Sequence, residues 1–313
     1  MFEIKRYEPS LEQAWNDFVA RSKNGTFLFD RRFMDYHSDR FADSSLMILR
    51  KGRIYALLPA NRVGDTLHSH QGLTYGGLLT DAKATAEGVM EAFGALNAWL
   101  RNEGVRRVTY KAMPWIYHRL PAEEDLYALT QVCHARLLTR EISSTILLQQ
   151  PLRFTESRKS GLRKALREGL YMEESGDLAA FWQMLDDNLA SRHHTHPVHS
   201  LDELRLLQGR FPQQIHLYLI YNKEKEPVGG TWVFDTGQVV HTQYIASTEE
   251  GKAHGALDLL FDELINRRYR EGIYLDFGKS TEEGGRVLNE HLIFQKEGFG
   301  GRGVCYDTYE WEP

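Results

Sequence analysis

The sequence predicts an α/β fold of the mixed, α+β-sheet kind, built as two similar domains in tandem. Three observations predict it. A strand, loop, long helix, Glu-Gly turn and strand recur at an offset of roughly 168 residues: Tyr75-Gly76-Gly77 leads through a helical stretch to Glu103-Gly104-Val105 and Val108-Thr109-Tyr110, and Tyr244-Ile245-Ala246 leads through another to Glu271-Gly272-Ile273 and Tyr274-Leu275-Asp276-Phe277. Leu11 and Trp15 in one amphipathic helix match Leu178 and Trp182 in another. The chain of 313 residues exceeds one ordinary core, so two domains of about 150 residues, 1–150 and 151–313, are the natural division. Such an offset is far longer than a solenoid period.

In the first half, Ser10 is a plausible helix N-cap, and residues 10–22 place Leu11, Trp15, Phe18 and Val19 on one face. Leu46-Met47-Ile48-Leu49 and Ile54-Tyr55-Ala56-Leu57-Leu58 are strand runs around Lys51-Gly52, a hairpin signal. Pro59 to His70 reads as a strand and turn. A helix over 84–102 aligns Val89, Phe93, Leu96 and Leu100 and stops at Gly104, after which Val105 to Ala112 is a strand.

The second half repeats this order. Thr145-Ile146-Leu147-Leu148 is a strand, a basic helix follows at 157–168, and a helix at 177–191 carries Leu178, Phe181, Leu185 and Leu189. His216 to Tyr221 and Gly229 to Phe234 form a hairpin around Lys223-Glu224-Lys225-Glu226. Val239 to Ala246 is a strand, about 254–270 a helix with Leu257, Leu260, Phe261, Leu264 and Ile265 inward, and Tyr274 to Phe277 and Cys305 to Trp311 are the last strands.

Hydrophobic content of 42% and charged content of 26% are ordinary for a soluble globular chain. The net charge of −5 argues against general nucleic-acid binding but leaves room for a local basic groove. Two cysteines, Cys133 and Cys305, make neither a disulfide framework nor a Cys-rich zinc site, which points to a reducing compartment. With no signal-like N-terminus and no apolar run near ~18 residues, the expectation is a cytoplasmic protein without stable membrane insertion.

Several constellations can carry chemistry. The loop Glu249 to Gly255, including Lys252, precedes a long helix and could offer backbone N–H groups to a phosphate; the bland reading is a strand-to-helix turn. Arg158, Lys159, Arg163, Lys164 and Arg167 form a basic helix that could grip phosphates, or a solvated face. Arg192-His193-His194-Thr195-His196-Pro197-Val198-His199 is the densest polar cluster; it lacks the Cys or carboxylates of a regular metal set, so no metal is expected. It is either a substrate-facing loop with a titratable imidazole or a surface loop leading to Ser200 as the next N-cap. His68-Ser69-His70 could line a cleft or end a polar strand, and Gly76 and Gly77 permit close backbone approach. Gly298-Phe299-Gly300-Gly301-Arg302-Gly303 spells G-x-G-x-x-G but opens no helix, so it is not a dinucleotide fingerprint. The P-loop, zincin and α/β-hydrolase motifs are all missing.

Helix, hairpin, strand, loop, helix, strand is also the order of the GNAT acyltransferase fold, and the chain resembles the FemAB family of tandem GNAT-fold aminoacyl and acyl transferases. Four segments carry the resemblance. Tyr75-Gly76-Gly77 is similar to the family's first-domain turn; Arg158-Lys159-Ser160-Gly161-Leu162-Arg163-Lys164-Ala165 resembles its R-x-x-[IL]-R-K-A helix; Asp276-Phe277-Gly278-Lys279-Ser280 resembles its D-F-G-x-S strand end; Phe294-Gln295-Lys296-Glu297-Gly298-Phe299-Gly300 resembles F-K-x-x-F-G. One segment departs. Where the GNAT pyrophosphate loop reads [Arg/Gln]-x-x-Gly-x-[Gly/Ala], this chain has Lys252-Ala253-His254-Gly255-Ala256-Leu257.

The resemblance implies a transferase that moves an acyl or aminoacyl group onto an amine, in cell-envelope precursor or lipid modification. The donor would be acyl-CoA or an aminoacyl-tRNA, and the acceptor a small-molecule or nucleotide-linked anionic substrate. The site would lie where the central strands splay, at Val239 to Ala246. That assigns Gln243, Lys252 and Gly255 to the donor; Tyr75, Gly76, His70, Arg158, Arg163, Arg192, Lys279 and Ser280 to substrate; and His196, His199 and Tyr244 to substrate contact or proton relay. The competing reading is a non-catalytic binding module that keeps the double fold.

Overall fold

The computed structural model describes every residue except His194, and of Arg192 and His193 the backbone alone. The chain divides into unit 1, Met1–Glu141 with Thr281–Val287 and Cys305–Pro313, and unit 2, Ile142–Ser280 with Leu288–Val304.

Unit 1 contains β1 (Phe2–Arg6), α1 (Glu12–Arg21), α2 (Arg31–Met34), β2 (Leu46–Arg50), β3 (Arg53–Leu58), β4 (Asn61–Val63), β5 (Thr66–His68), β6 (Leu79–Thr80), α3 (Ala86–Asn102), β7 (Arg107–Lys111) and α4 (Glu124–Gln131). Strand β8 (Arg136–Leu147) passes from unit 1 to unit 2 at residue 142. Strands β1, β2, β3 and β6 pair antiparallel in that order. Lys51 and Gly52 both have positive φ (52° and 72°), as the tight turn between β2 and β3 requires. A second group pairs β4 with β5 antiparallel and β5 with β7 parallel. Helix α3 starts at Thr85, whose hydroxyl accepts from the Gly88 N–H, and buries Val89, Phe93, Leu96 and Leu100 as expected from their spacing.

Unit 2 contains α5 (Glu156–Glu168), β9 (Tyr171–Glu174), α6 (Leu178–His193), α7 (Leu201–Arg210), β10 (Ile215–Tyr221), β11 (Pro227–Asp235), β12 (Val239–Ser247), α8 (Glu249–His254), α9 (Ala256–Glu263) and β13 (Tyr274–Lys279). Short strands β14 (Thr281–Glu282) and β15 (Val287–Leu288), helix α10 (Glu290–Gly298) and β16 (Arg302–Trp311) complete the chain. Strands β9, β10, β11 and β12 are antiparallel neighbours; β13 is parallel to β12 and antiparallel to β8. Ser200 caps α7 in a full capping box with Glu203.

Two helices differ from expectation. Helix α1 begins at Glu12, because Pro9–Leu11 forms a 3₁₀ turn, and no side chain caps it, Ser10 included. The helix expected at about 254–270 is α9 running on into a π-helical turn at Leu264–Arg268, and a break divides it from a further helix before it, α8. Gly255 makes the break. Its φ is 78°, and a Cβ there would lie 2.4 Å from the Gly161 carbonyl oxygen on α5.

Candidate functional site

The site is built where two strands part. Opposite β11, Trp232 faces Tyr244 and Val233 faces Thr242, so Gln243 is an extra residue, a bulge that bends β12. Strand β12 pairs with β13 only at Val239↔Tyr274, Val240↔Leu275 and His241↔Asp276. Beyond that last pair no ladder joins them.

Asp276 holds the vertex. An isolated carboxylate in an apolar strand must find partners when buried. Here it accepts from Ser143 Oγ (2.5 Å) and Thr145 Oγ1 (2.8 Å), both on β8, and bonds His241 Nδ1 at 2.9 Å. Burial alone would raise its pKa; the His241 contact and the two hydroxyls outweigh burial and bring it down to about 2.

Lys296 of α10 closes the other arm. Its Nζ donates to Gly278 O (2.8 Å), Lys279 O (3.0 Å) and Ser280 Oγ (2.9 Å), which uses all three ammonium protons. It is 4% exposed, and burial pushes its pKa down to about 8 against the pull of Asp276. Glycine at 278, with φ 75°, lets β13 turn toward this lysine.

Between the arms lies a cavity of about 230 Å³, lined by Ile245, Ala246 and Ser247 of β12, Phe277 of β13, Leu185, Asn188 and Leu189 of α6, and Lys252, Leu257, Phe261, Leu292, Gln295, Lys296 and Phe299. An adjoining hollow of about 300 Å³ shares Lys252, Leu257 and Gln295 and adds Arg158, His291 and Gly255. Arg158 pairs with Asp258 at 3.0 Å and lies over the Phe299 ring. Burial raises the Asp258 pKa to about 6, with Arg158 opposing.

The residues singled out in the sequence are scattered. Lys252 lines the cavity, and Arg158 and Gly255 line the hollow. Gln243 sits at the bulge with its buried Oε1 making no hydrogen bond. Ser280 reaches the cavity only through Lys296, and the Lys279 side chain is exposed. His199 and Tyr244 do meet, Nδ1 to hydroxyl at 2.6 Å, but neither lines the cavity. Burial raises the tyrosine to about 12, against hydrogen bonds from the His199 backbone and Gln243, so it stays protonated at neutral pH. His196 is exposed and bonds Asp186 at 2.6 Å. Arg163 is exposed and pairs with Glu156 at 2.6 Å. The Arg192 side chain lies outside the described residues.

Tyr75, Gly76 and His70 belong to unit 1. Tyr75 is buried, donates to Thr26 Oγ1 and packs on Tyr117. A Cβ on Gly76 would lie 1.9 Å from Ser69 O, so this glycine does serve close approach. His70 is buried against His37, and burial lowers its pKa to about 3.

One expectation fails on geometry. The run Glu249 to Gly255 is not an open loop. It is helix α8, whose Gly251 N–H bonds Thr248 Oγ1 (3.0 Å) and whose Lys252 N–H bonds Thr248 O (2.9 Å). These backbone donors are spent, and Gly255 is occupied in packing on α5. Positive charge around this turn comes from side chains instead. Sequence reasoning missed Lys296, His241 and Asp276 as site residues, although a lone Asp within Tyr274–Phe277 signalled a buried, partnered carboxylate.

Residues 155–284 match the acetyltransferase (GNAT) domain family. No curated protein matches the chain. Among solved structures, FemX superposes with a TM-score of 0.68 at 11% identity over 99% of this chain and 97% of its own. L-PGS from Bacillus licheniformis gives 0.59 at 14% over 97% and 92%. A tandem GNAT protein from the clavulanic acid biosynthesis pathway gives 0.52 at 12% over 100% and 98%. At such identities the likeness is one of fold. The chain therefore has the fold of tandem GNAT proteins, and residues 155–284 are the part of it that matches the GNAT domain family.

Proposed function

We propose that the chain transfers an acyl or aminoacyl group from an activated carrier to an amine acceptor, using the cleft of unit 2. The observation that carries this is the parting of β12 from β13 after His241↔Asp276, which opens an apolar cavity beside a buried ammonium. That is the geometry needed to admit a carbonyl from one side and a nucleophile from the other.

The chemistry asks little of the protein. A neutral amine attacks the carbonyl carbon, a C–N bond forms, and the bond from that carbon to the carrier's sulfur or oxygen breaks, its electron pair leaving with the carrier. Negative charge develops on the carbonyl oxygen and is stabilised by nearby positive charge in a dry site. Lys296 supplies that charge. Its protons are committed to protein acceptors, so it acts through its field and by fixing the end of β13. Gln243 Oε1, buried and without a hydrogen bond, lies at the bulge outside the cavity wall, so we assign it no contact with the donor or the amine. Among the described residues no carboxylate or imidazole lines the cavity, and we route the amine proton to water or to the departing carrier.

An acyl-CoA donor fits in part. The cavity takes its acyl end, and Arg158, Lys252 and His291 in the adjoining hollow can hold phosphates by side chain. An aminoacyl-tRNA end makes the same two demands, so the carrier remains open within this proposal, as does an envelope-precursor or lipid-linked amine as acceptor. Both cysteines are free, which suits a cytoplasmic location, and no helix among the described residues is long and apolar enough to cross a membrane. Calorimetry with acetyl-CoA and with an aminoacyl-tRNA tests the proposal: one should bind, and a ligand at a hundred times its Kd should stabilise the fold by about 2.7 kcal/mol. If neither binds, a non-catalytic binding module is the better account.

A further inference from the structure

Resting on that reading of the cleft, we infer that the donor's acyl side chain is apolar and uncharged, and that the cavity rejects a cationic one such as lysyl. The volume of about 230 Å³ is smaller than the roughly 300–1,000 Å³ of pockets that enclose whole ligands, so it takes the acyl end alone. Leu185, Leu189, Ile245, Phe261, Phe277 and Leu292 supply most of its wall. Among the described residues its ionisable lining groups are Lys252 and Lys296, both cationic, and no Asp or Glu lines it.

The carboxylates that flank the region already have partners. Asp276 is held by His241, Glu249 by Lys252 and Asp258 by Arg158. A lysyl ammonium entering this space would leave water, meet Lys296 and find no counter-charge. An unpaired charge in an apolar enclosure is strongly disfavoured. An aliphatic or aromatic chain of similar length meets only matching surface.

The test uses pairs of donors that differ by one ammonium: norleucyl and lysyl amides of 3′-amino-3′-deoxyadenosine, and hexanoyl-CoA and 6-aminohexanoyl-CoA, each titrated calorimetrically into the full chain. On whichever carrier binds, the apolar member should bind about a hundredfold tighter or more. Equal affinity, or a preference for the ammonium, overturns the inference while leaving the donor cleft standing. Binding of neither carrier in any form overturns the donor reading and this inference with it. Leu292→Asp provides a second arm. Leu292 lies in the first turn of α10, where an acidic residue suits the helix. The variant should narrow the gap at least tenfold; an unchanged gap means that the acyl chain does not sit in this cavity.

Discussion

Units 1 and 2 meet the same topological problem and solve it in opposite ways. In each, an antiparallel hairpin leads to a strand, a helix and a further strand. In unit 2 the strand β12 runs for nine residues and parts from β13, and the gap is a cavity. In unit 1 the corresponding strand β6 is two residues long and pairs only with β3, while β7 pairs with β5. The space beside β6 is filled by Tyr110, whose hydroxyl accepts from the Leu78 N–H (2.6 Å) and donates to Asp125 (2.5 Å). A buried tyrosine stands beside the short strand of unit 1, whereas Gly278, with its left-handed backbone, lies near the end of β13 in unit 2. One unit thus serves as scaffold and the other holds the candidate chemistry.

The two buried aspartates sharpen the contrast. Asp276→Ala should have the largest effect, about 3–5 kcal/mol lost in chemical denaturation, because it strands His241 and two hydroxyls at the vertex of the open cleft. Tyr110→Phe should cost about 1–3 kcal/mol by leaving the Leu78 N–H and Asp125 without their partner. It should not alter donor affinity; a change there would mean that unit 1 takes part in binding.

Stability against pH should separate the same pair. The Asp276 pKa lies below its ordinary 3.8, so its contribution is present above 3.8 and is lost as pH falls toward about 2. The Asp125 pKa is raised by burial to about 6, so the fold is favoured at low pH, and this benefit disappears as pH climbs from 3.8 to 6. Each is on the order of 2 kcal/mol at full extent. Asp276→Asn should flatten the lower limb and Asp125→Asn the upper one. Unaltered limbs in these variants would show that other groups govern them.

Smaller effects test the first helices. Ser200→Ala should cost about 1 kcal/mol, because it removes a capping box, whereas Ser10→Ala should cost close to nothing. Arg163→Ala should leave stability within about 0.5 kcal/mol, since the Glu156 pair is exposed. Normal turnover in that variant would remove the basic helix from substrate binding.

Much of the fold was legible because it is local. Apolar spacing located α3, Lys51-Gly52 marked a hairpin, and Ser200 stood as a candidate cap. The break at Gly255 was hidden, since it depends on Gly161, which is distant in sequence. The site was less legible for the same reason. His199 and Tyr244 lie 45 residues apart, yet they meet through strand and loop packing. Lys296 stood in the sequence only as part of the F-K-x-x-F-G resemblance, and its place on the carbonyls of β13 depends on how α10 packs.

We propose that the open cleft of unit 2 holds an activated acyl group. Ala246 lines that cavity, and Ala246→Phe would fill it much as Tyr110 fills its counterpart. Calorimetric titration of the donor into wild type, Ala246→Phe and Tyr110→Phe is the most direct measurement. Tight binding to wild type and to Tyr110→Phe, with at least a tenfold loss in a folded Ala246→Phe, is the predicted result. Undiminished binding to folded Ala246→Phe, or no donor binding to wild type, would contradict it.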